Sequence, residues 1–188
     1  MAVPAQARMR NICVFAGSGA GRRQEYASAA AGLGRLLAEN GITLVYGGGR
    51  TGLMGAVADG ALKAGGKVIG VIPTDLTGIE LEHKGLTEMI VTGDMHSRKA
   101  KMHRLSDAFI ALPGGIGTFD ELFEALCWAQ LGFHNKPCGL LNIKGYYDPL
   151  LKLVKNAADE GFVRKEDSER LLISAEPREL LTAILAYK

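Results

Sequence analysis

The 188-residue chain has no long apolar run and almost no excess charge. No segment approaches the roughly 18 consecutive apolar residues that a membrane-spanning helix needs, and residues 1–10 lack the apolar stretch of a signal peptide. The 22 basic residues nearly balance the 20 acidic ones, and no basic stretch alternates with aromatic residues, which argues against nucleic acid as a partner. We therefore expect a cytoplasmic protein that binds neither membranes nor nucleic acid.

The chain is also poor in metal-ligating patterns. Cys13, Cys127 and Cys138 are odd in number, lie in apolar surroundings and show no C-x-x-C spacing, so neither a disulfide framework nor a zinc site is indicated. Buried, reduced thiols are the prediction for all three. The four histidines have no ligand spacing and are expected at the surface or as supporting groups around a site. We expect no metal and no cofactor.

Apolar, β-rich segments alternate with helical patterns along the whole chain. This alternation predicts an α/β fold with a Rossmann-like, doubly wound parallel sheet. At this length one domain is expected, spanning 11–188 after a short N-terminal extension at 1–10. The predicted strands are 12–15, 42–46, 68–72, 89–91, 109–112, 139–143 and 171–173. The predicted helices are 24–40, 53–64, 94–106, 118–132, 147–160 and 177–187, with a long loop at 74–86.

Three glycine-rich segments, 17–21, 47–52 and 114–117, follow predicted strands, where ligands bind in doubly wound sheets. The middle one has the G-x-G-x-x-G spacing of dinucleotide sites. Such sites need an acidic residue about 20 positions later, but Lys67 stands there, and Asp75 comes several residues too late. A nicotinamide-dependent oxidoreductase therefore stays as an alternative that the pattern supports only in part.

The last glycine segment precedes a helix predicted to begin at Thr118. Glycines that lead from a strand into a helix leave backbone N–H groups pointing at one spot near the positive end of the helix dipole. This arrangement favours a phosphate, and Glu121 would place a carboxylate one helical turn further on. The candidate phosphate contacts are Gly114, Gly115, Ile116, Gly117, Thr118, Phe119 and Asp120.

Structural explanations compete with these assignments. Thr118 and Glu121 have the spacing of a capping box, in which both side chains would only close the helix start. Arg98 and Lys99 could form a solvated helix face, although Arg98 lies at the edge of the apolar stripe that begins at Met95. Asp120 is not expected to act with Glu121, because helix neighbours point about 100° apart.

The motifs together resemble a known family. Pro113-Gly-Gly-x-Gly-Thr-x-x-Glu121, with Asp94-Met-His-Ser-Arg-Lys99 and Gly47-Gly-Gly-Arg-Thr-Gly-Leu-Met-Gly55 upstream, is similar to the Lonely Guy family of cytokinin riboside 5′-monophosphate phosphoribohydrolases. Many members were once labelled lysine decarboxylases. The resemblance runs from about Ile12 to Ile184. It implies a Rossmann-like dimer that cleaves a nucleoside 5′-monophosphate to free base and ribose 5-phosphate.

The same resemblance implies roles for individual residues. Arg98 and Glu121 would be the catalytic pair, and nucleotide contacts would fall on Glu80, Arg98, Lys99 and the loop 114–120. Further candidates for substrate contacts come from the other glycine segments and from the segment before Arg98. They are Gly17, Ser18, Gly48, Gly49 and Met95.

The chemistry of these residue types fits that activity. Cleavage of a C1′–N bond passes through an oxocarbenium-like state, which a carboxylate such as Glu121 can stabilise while it orients the incoming water. Arg98 stays protonated at neutral pH, so its expected role is to orient Glu121 and to hydrogen-bond the leaving base or the ribose. The expected substrates are N6-substituted adenine nucleoside 5′-monophosphates or AMP.

Two other features bear on function. A non-catalytic nucleotide-binding or carrier protein would keep the glycine loops but would not need Arg98 paired with Glu121. A homodimer is expected because the helix from Thr118 and the residues after it carry more apolar side chains than one buried stripe requires. These side chains are Leu122, Phe123, Leu126, Trp128, Leu131 and Phe133.

Overall fold

The computed structural model describes residues 9–77 and 82–187. Within these ranges, seven strands form one sheet in the order β4-β3-β2-β1-β5-β6-β7, and every neighbouring pair is parallel. The predicted α/β, Rossmann-like fold is confirmed. The strands are β1 Asn11–Phe15, β2 Thr43–Tyr46, β3 Val68–Pro73, β4 Glu88–Thr92, β5 Ala108–Ala111, β6 Cys138–Leu141 and β7 Leu171–Ser174. The helices are α1 Gln24–Glu39, α2 Gly52–Lys63, α3 Met95–Leu105, α4 Ile116–Gln130, α5 Asp148–Asp159, α6 Lys165–Glu169 and α7 Pro177–Ala186.

Helices cover both faces of the sheet, which explains why the central strands are continuously apolar. Along β1 the side chains alternate between two buried clusters. Ile12 and Val14 pack with α1, α2 and α7, whereas Cys13 and Phe15 pack with α3, α4 and α5. The sheet therefore has one core on each face.

The strand order reverses between β1 and β5. Successive connections wind outward from β1 towards β4 on one side and from β5 towards β7 on the other, which opens a crevice at the carboxyl ends of the two central strands. The loops that leave these strands touch each other there, because the Gly17 N–H donates to the Pro113 carbonyl at 3.1 Å. The topology thus brings the first and last glycine segments to one place.

Helix α4 begins two residues earlier than predicted. Gly115 is its N-cap, it has no side chain to accept a capping hydrogen bond, and Thr118 is the third helical residue. The alternative that Thr118 and Glu121 form a capping box at the helix start is therefore wrong. A capping box does occur in α3, where Asp94 Oδ1 accepts from the Ser97 N–H at 2.7 Å and Ser97 Oγ accepts from the Asp94 N–H at 3.0 Å.

Three smaller differences concern two short helices and one cysteine. A short 3₁₀ helix at Thr74–Leu76 interrupts the predicted loop, and α6 was not predicted. Cys13 and Cys138 are buried as expected, but Cys127 is exposed, because it lies on the side of α4 that faces away from the sheet. No helix among the described residues is long and apolar enough to cross a membrane.

Candidate active site

The start of α4 presents free backbone donors. In the part of the chain that the structure describes, the N–H groups of Gly115, Ile116, Gly117 and Thr118 have no backbone or side-chain acceptor. The first amide with an acceptor is that of Phe119, which donates to the Gly115 carbonyl at 3.0 Å. Unpaired amides at the positive end of a 15-residue helix form a binding place for an anion.

The Thr118 side chain lies close to the backbone of Gly114, just before the helix start. This side chain is buried, and a Cβ atom on Gly114 would lie only 2.1 Å from its Oγ1. Glycine at 114 therefore lets the hydroxyl approach the loop backbone closely. The hydroxyl adds a polar group of the kind that phosphate oxygens accept from.

Arg98 and Glu121 form a nearly buried ion pair. Arg98 Nη1 lies 3.1 Å from Glu121 Oε1, and both side chains are 11% exposed. Arg98 Nε also donates to the Val71 carbonyl of β3 at 3.0 Å. A Cβ atom on Gly47 would come within 2.2 Å of Arg98 Nη2, so the glycine after β2 leaves room for the guanidinium. The alternative that Arg98 belongs to a solvated helix face is wrong.

Burial dominates the acid–base behaviour of Glu121. Desolvation raises the pKa of this carboxyl to about 7, although the Arg98 guanidinium beside it acts in the opposite direction. A group with a pKa near neutrality exists in both forms under physiological conditions. It can therefore accept or donate a proton at little cost.

Lys99 forms a second set of ion pairs beside the first. Its Nζ lies 2.9 Å from Asp120 Oδ2 and 3.2 Å from Glu124 Oε1. Burial alone would lower the pKa of Lys99, but hydrogen bonds to the two carboxylates outweigh it and raise the pKa. Sequence reasoning did not identify Glu124. Its spacing of four residues from Asp120, which puts both carboxylates on one face of α4, was the available signal.

The first glycine segment and Met95 also reach this region. Gly17 contacts Pro113 as described, and a Cβ atom on Gly17 would lie 3.0 Å from the Gly114 Cα. The Met95 sulfur lies 3.2 Å from Arg98 Nη1, and the residue is 42% exposed. The structure thus brings together the predicted catalytic pair, the loop 114–120, Lys99, Gly17 and Met95.

The middle glycine segment and the helix start after it form hydrogen bonds with other parts of the protein. Gly48 accepts a hydrogen bond from the His83 N–H at 3.1 Å, and Gly49 forms a β-bridge with Glu82. The N–H groups of Leu53 and Met54, at the start of α2, donate to the Gly17 carbonyl at 3.0 and 3.3 Å. These two amides are not available to a pyrophosphate, which weighs against a dinucleotide at this helix.

Three other predictions concern Ser18, Glu80 and His103. Ser18 lies against the start of α2, since its carbonyl would be 2.3 Å from a Cβ atom on Gly52. Glu80 lies outside the described residues. His103, expected at the surface or beside a site, is buried in an aromatic cluster with Phe109 and Trp128, where burial lowers its pKa to about 4. No group of three potential metal ligands occurs among the residues described.

Comparison with known proteins identifies relatives in sequence and a solved structure with a similar fold. The family described as "Possible lysine decarboxylase" matches residues 54–184. A cytokinin riboside 5′-monophosphate phosphoribohydrolase from Rhodococcoides fascians is 50% identical over 185 residues, which cover 97% of this chain and 93% of the relative. A protein of the same name from Oryza sativa subsp. japonica is 50% identical over 183 residues, with coverage of 97% and 75%. The structure of the molybdenum cofactor binding protein from the phototrophic bacterium Rippkaea orientalis superposes with a TM-score of 0.71 at 29% identity, and the match covers 96% of this chain and 100% of that protein.

Proposed function

The chain belongs to the family of cytokinin riboside 5′-monophosphate phosphoribohydrolases, and we propose that it cleaves the N-glycosidic bond of adenine-type nucleoside 5′-monophosphates. The substrates are AMP or its N6-substituted forms, and the products are the free base and ribose 5-phosphate. The observation that carries the proposal is the buried Arg98–Glu121 pair beside a helix start with unpaired amides. Cleavage of such a substrate requires a binding site for its phosphate and a reactive carboxylate near its ribose, and these two features supply them.

The 5′-phosphate binds at the start of α4 in this proposal. The unpaired amides of residues 115–118 and the Thr118 hydroxyl supply its donors, and the helix dipole adds favourable electrostatics. Binding energy from the phosphate is used to orient the ribose, so that C1′ faces Glu121. Gly17 borders this place through its contacts with Pro113 and Gly114, and Lys99 keeps Asp120 and Glu124 in position behind it.

Glu121 acts on the ribose in its ionised form. Its charge stabilises the positive charge that develops at C1′ and O4′ as the C1′–N bond breaks. One carboxylate oxygen accepts a proton from the water that attacks C1′, and this proton then passes to the departing base at the nitrogen that has lost its bond, so that the water supplies both the C1′ hydroxyl group and the proton on the base. Arg98 is anchored by the Val71 carbonyl, so it keeps Glu121 in one orientation and has donors left for the ribose or the base.

A carrier function is the second candidate, because a protein named for molybdenum cofactor binding shares the fold at 29% identity. Such a function needs an anion site but no reactive carboxylate. The near-neutral pKa and the deep burial of Glu121 favour the hydrolase, since a charged group of this kind is costly to keep without a chemical role.

Product analysis decides between the two candidates. The protein is incubated with adenosine, AMP, ADP, ATP and N6-isopentenyl-AMP, and the products are separated by chromatography. We expect free base from the monophosphates and none from adenosine, because the phosphate site orients the ribose. Equal turnover of adenosine and AMP would contradict the proposed site. Tight binding of a monophosphate without any cleavage would favour the carrier.

We also propose a homodimer in the cytoplasm. Large apolar side chains remain exposed on α4 and just after it, namely Phe123, Leu131 and Phe133, and a cluster of this kind favours association with a second copy. The three unpaired cysteines suit a reducing compartment. Light scattering at micromolar concentration should give twice the 20.0 kDa mass of the chain, and a monomer would contradict the expectation.

A further inference from the structure

Two neighbouring tyrosines reach the loop that leaves β5. The Tyr147 hydroxyl donates to the Leu112 carbonyl at 2.6 Å, and the Tyr146 hydroxyl donates to the Gly114 carbonyl. These two carbonyls lie on either side of Pro113, at the bend between β5 and α4. The tyrosines therefore hold the backbone that precedes the unpaired amides of α4.

The bond from Tyr146 has a direct consequence for one amide. In a trans peptide unit the C=O and the N–H point in opposite directions. When the Gly114 carbonyl faces Tyr146, the Gly115 N–H must face away from it, on the side where the anion would bind. Glycines on both sides of this peptide leave its rotation almost free of steric restraint. The Tyr146 hydroxyl thus supplies a restraint that the local sequence lacks.

Tyr147 differs from Tyr146 in one respect. The carbonyl that Tyr147 bonds belongs to the Leu112–Pro113 peptide, which has no N–H because its nitrogen is that of a proline. Fixing this peptide therefore orients no donor. The two hydroxyls make the same kind of bond, but only that of Tyr146 controls an amide.

The turn before the two tyrosines has a defined conformation that sets their positions. Lys144 has a φ of 54°, a conformation that is costly for a residue other than glycine. Asn142 closes the turn, because its Oδ1 accepts from the Tyr147 N–H at 2.7 Å and its Nδ2 donates to Asp148 Oδ1 at 2.8 Å. The Tyr146 ring then packs edge-on against Tyr26, with ring centroids 5.8 Å apart. The turn conformation, the hydrogen bonds of Asn142 and the contact between the two rings together fix the position of the Tyr146 hydroxyl.

We propose that Tyr146 is a positioning residue for phosphate binding, and that its hydroxyl orients the Gly114–Gly115 peptide so that the Gly115 N–H donates to a phosphate oxygen. This inference rests on the proposed function for the identity of the phosphate, which is the 5′-phosphate of the substrate and of the ribose 5-phosphate product. Tyr146 itself touches neither the base nor the reacting carbon in this role.

The test compares Tyr146→Phe with Tyr26→Phe, which removes a hydroxyl from the other ring of the same edge-on pair. Calorimetry measures the dissociation constants of ribose 5-phosphate and of adenine for each variant and for the wild type. For Tyr146→Phe we expect about tenfold weaker binding of ribose 5-phosphate, the effect of one misdirected hydrogen bond, with unchanged adenine binding. KM for AMP should rise by the same factor while kcat stays within about twofold, because the phosphate contact exists before and during the reaction. Tyr26→Phe should behave as the wild type.

Several results would overturn the inference. One is equal affinity of wild type and Tyr146→Phe for ribose 5-phosphate. Another is a parallel loss of adenine and ribose 5-phosphate binding, which would indicate a general distortion, and a third is no measurable binding of ribose 5-phosphate by the wild type. Because binding is measured without turnover, the comparison decides the role of Tyr146 even if no nucleotide were cleaved. Failure of the hydrolase proposal would appear separately, as absence of products.

Discussion

Two glycine-rich turns in this protein have similar sequences, but the helix amides that follow them are paired in one case and unpaired in the other. Each follows a central strand and leads into a helix, one from β2 into α2 and the other from β5 into α4. At α2 the amides of Leu53 and Met54 donate to the Gly17 carbonyl. At α4 the first amides have no acceptor among the described residues. A helix start is thus a ligand site only where the rest of the fold leaves it open, and the glycine spacing alone does not tell which.

The two helices differ again one and a half turns further on. The residue six positions after the N-cap is Val57 in α2 and Glu121 in α4, and both are buried. Val57 packs in the core with α1, whereas Glu121 meets Arg98. The same structural position therefore serves stability in one helix and chemistry in the other.

Replacement of Glu121 by glutamine should produce the largest effect. The variant removes the negative charge but keeps an oxygen that can accept from Arg98, so we expect a rate loss of at least about 100-fold. The melting temperature should stay within a few degrees of the wild type, because glutamine keeps the shape and the accepting oxygen of the neutral glutamic acid, the form that burial favours at this position. Assays of AMP cleavage and thermal unfolding measure the two quantities. Near-normal turnover would make the carboxylate a structural group, as Val57 is in α2.

Arg98→Lys should have the next largest effect. An ammonium group cannot bond the Val71 carbonyl through one nitrogen and Glu121 through another, as the planar guanidinium does. We expect kcat to fall by about 30- to 100-fold, a loss of about 2–3 kcal/mol of transition-state stabilisation. If Arg98→Lys kept activity within twofold of the wild type, a positive charge at this position would be enough for catalysis, without the planar guanidinium. Circular dichroism provides the control for folding.

A pair of glycine substitutions tests the contrast between the two turns directly. In Gly52→Ala the new Cβ would meet the Ser18 carbonyl at 2.3 Å in a residue with a φ of 58°, so we expect a loss of about 1–3 kcal/mol in the free energy of unfolding. In Gly114→Ala the new Cβ would meet the Thr118 hydroxyl at 2.1 Å, the Thr118 Cβ at 2.6 Å and the Gly17 backbone nitrogen at 2.9 Å. Rotation of the hydroxyl relieves part of this crowding, and Gly114 does not have the positive φ of Gly52. This variant should keep more stability but bind AMP about tenfold less well.

Denaturant unfolding and AMP binding, measured on both glycine variants, give the comparison. The contrast predicts that stability falls more in Gly52→Ala and that affinity falls more in Gly114→Ala. The opposite pattern would mean that the start of α2, and not that of α4, binds the nucleotide.

Sequence patterns predicted the sheet, the main helices and the residues that meet at the centre. These features depend on apolar periodicity and on the rule that parallel strands end at one edge, both of which are local or topological. The start of α4 was misplaced because Gly115 caps the helix without a side chain, and a cap of that kind leaves no signal in the sequence. Glu124 could have been found from its four-residue spacing to Asp120, and the exposure of Cys127 from its side of α4. The blocked amides of α2 depend on the carbonyl of Gly17, a distant segment, which no local pattern encodes.

The pH dependence of Glu121 provides the last and smallest test. With a pKa of about 7, the ionised fraction of this carboxyl rises about tenfold between pH 6 and pH 8, and kcat/KM should rise with it. Stability should change in the opposite sense. The folded-state pKa lies above the ordinary value of 4.5, so the folded protein binds the proton on Glu121 more tightly than the unfolded chain does. Protonation of Glu121 therefore stabilises the fold. This stabilisation is complete below about pH 4.5 and is lost as the pH rises through about 7. Glu121→Gln should abolish both trends, whereas Val57→Ala in α2 should lower stability by a similar amount at every pH. An activity profile that is flat from pH 6 to 8 in the wild type would exclude Glu121 as the titrating group, and the difference between the two helices would then be one of packing alone.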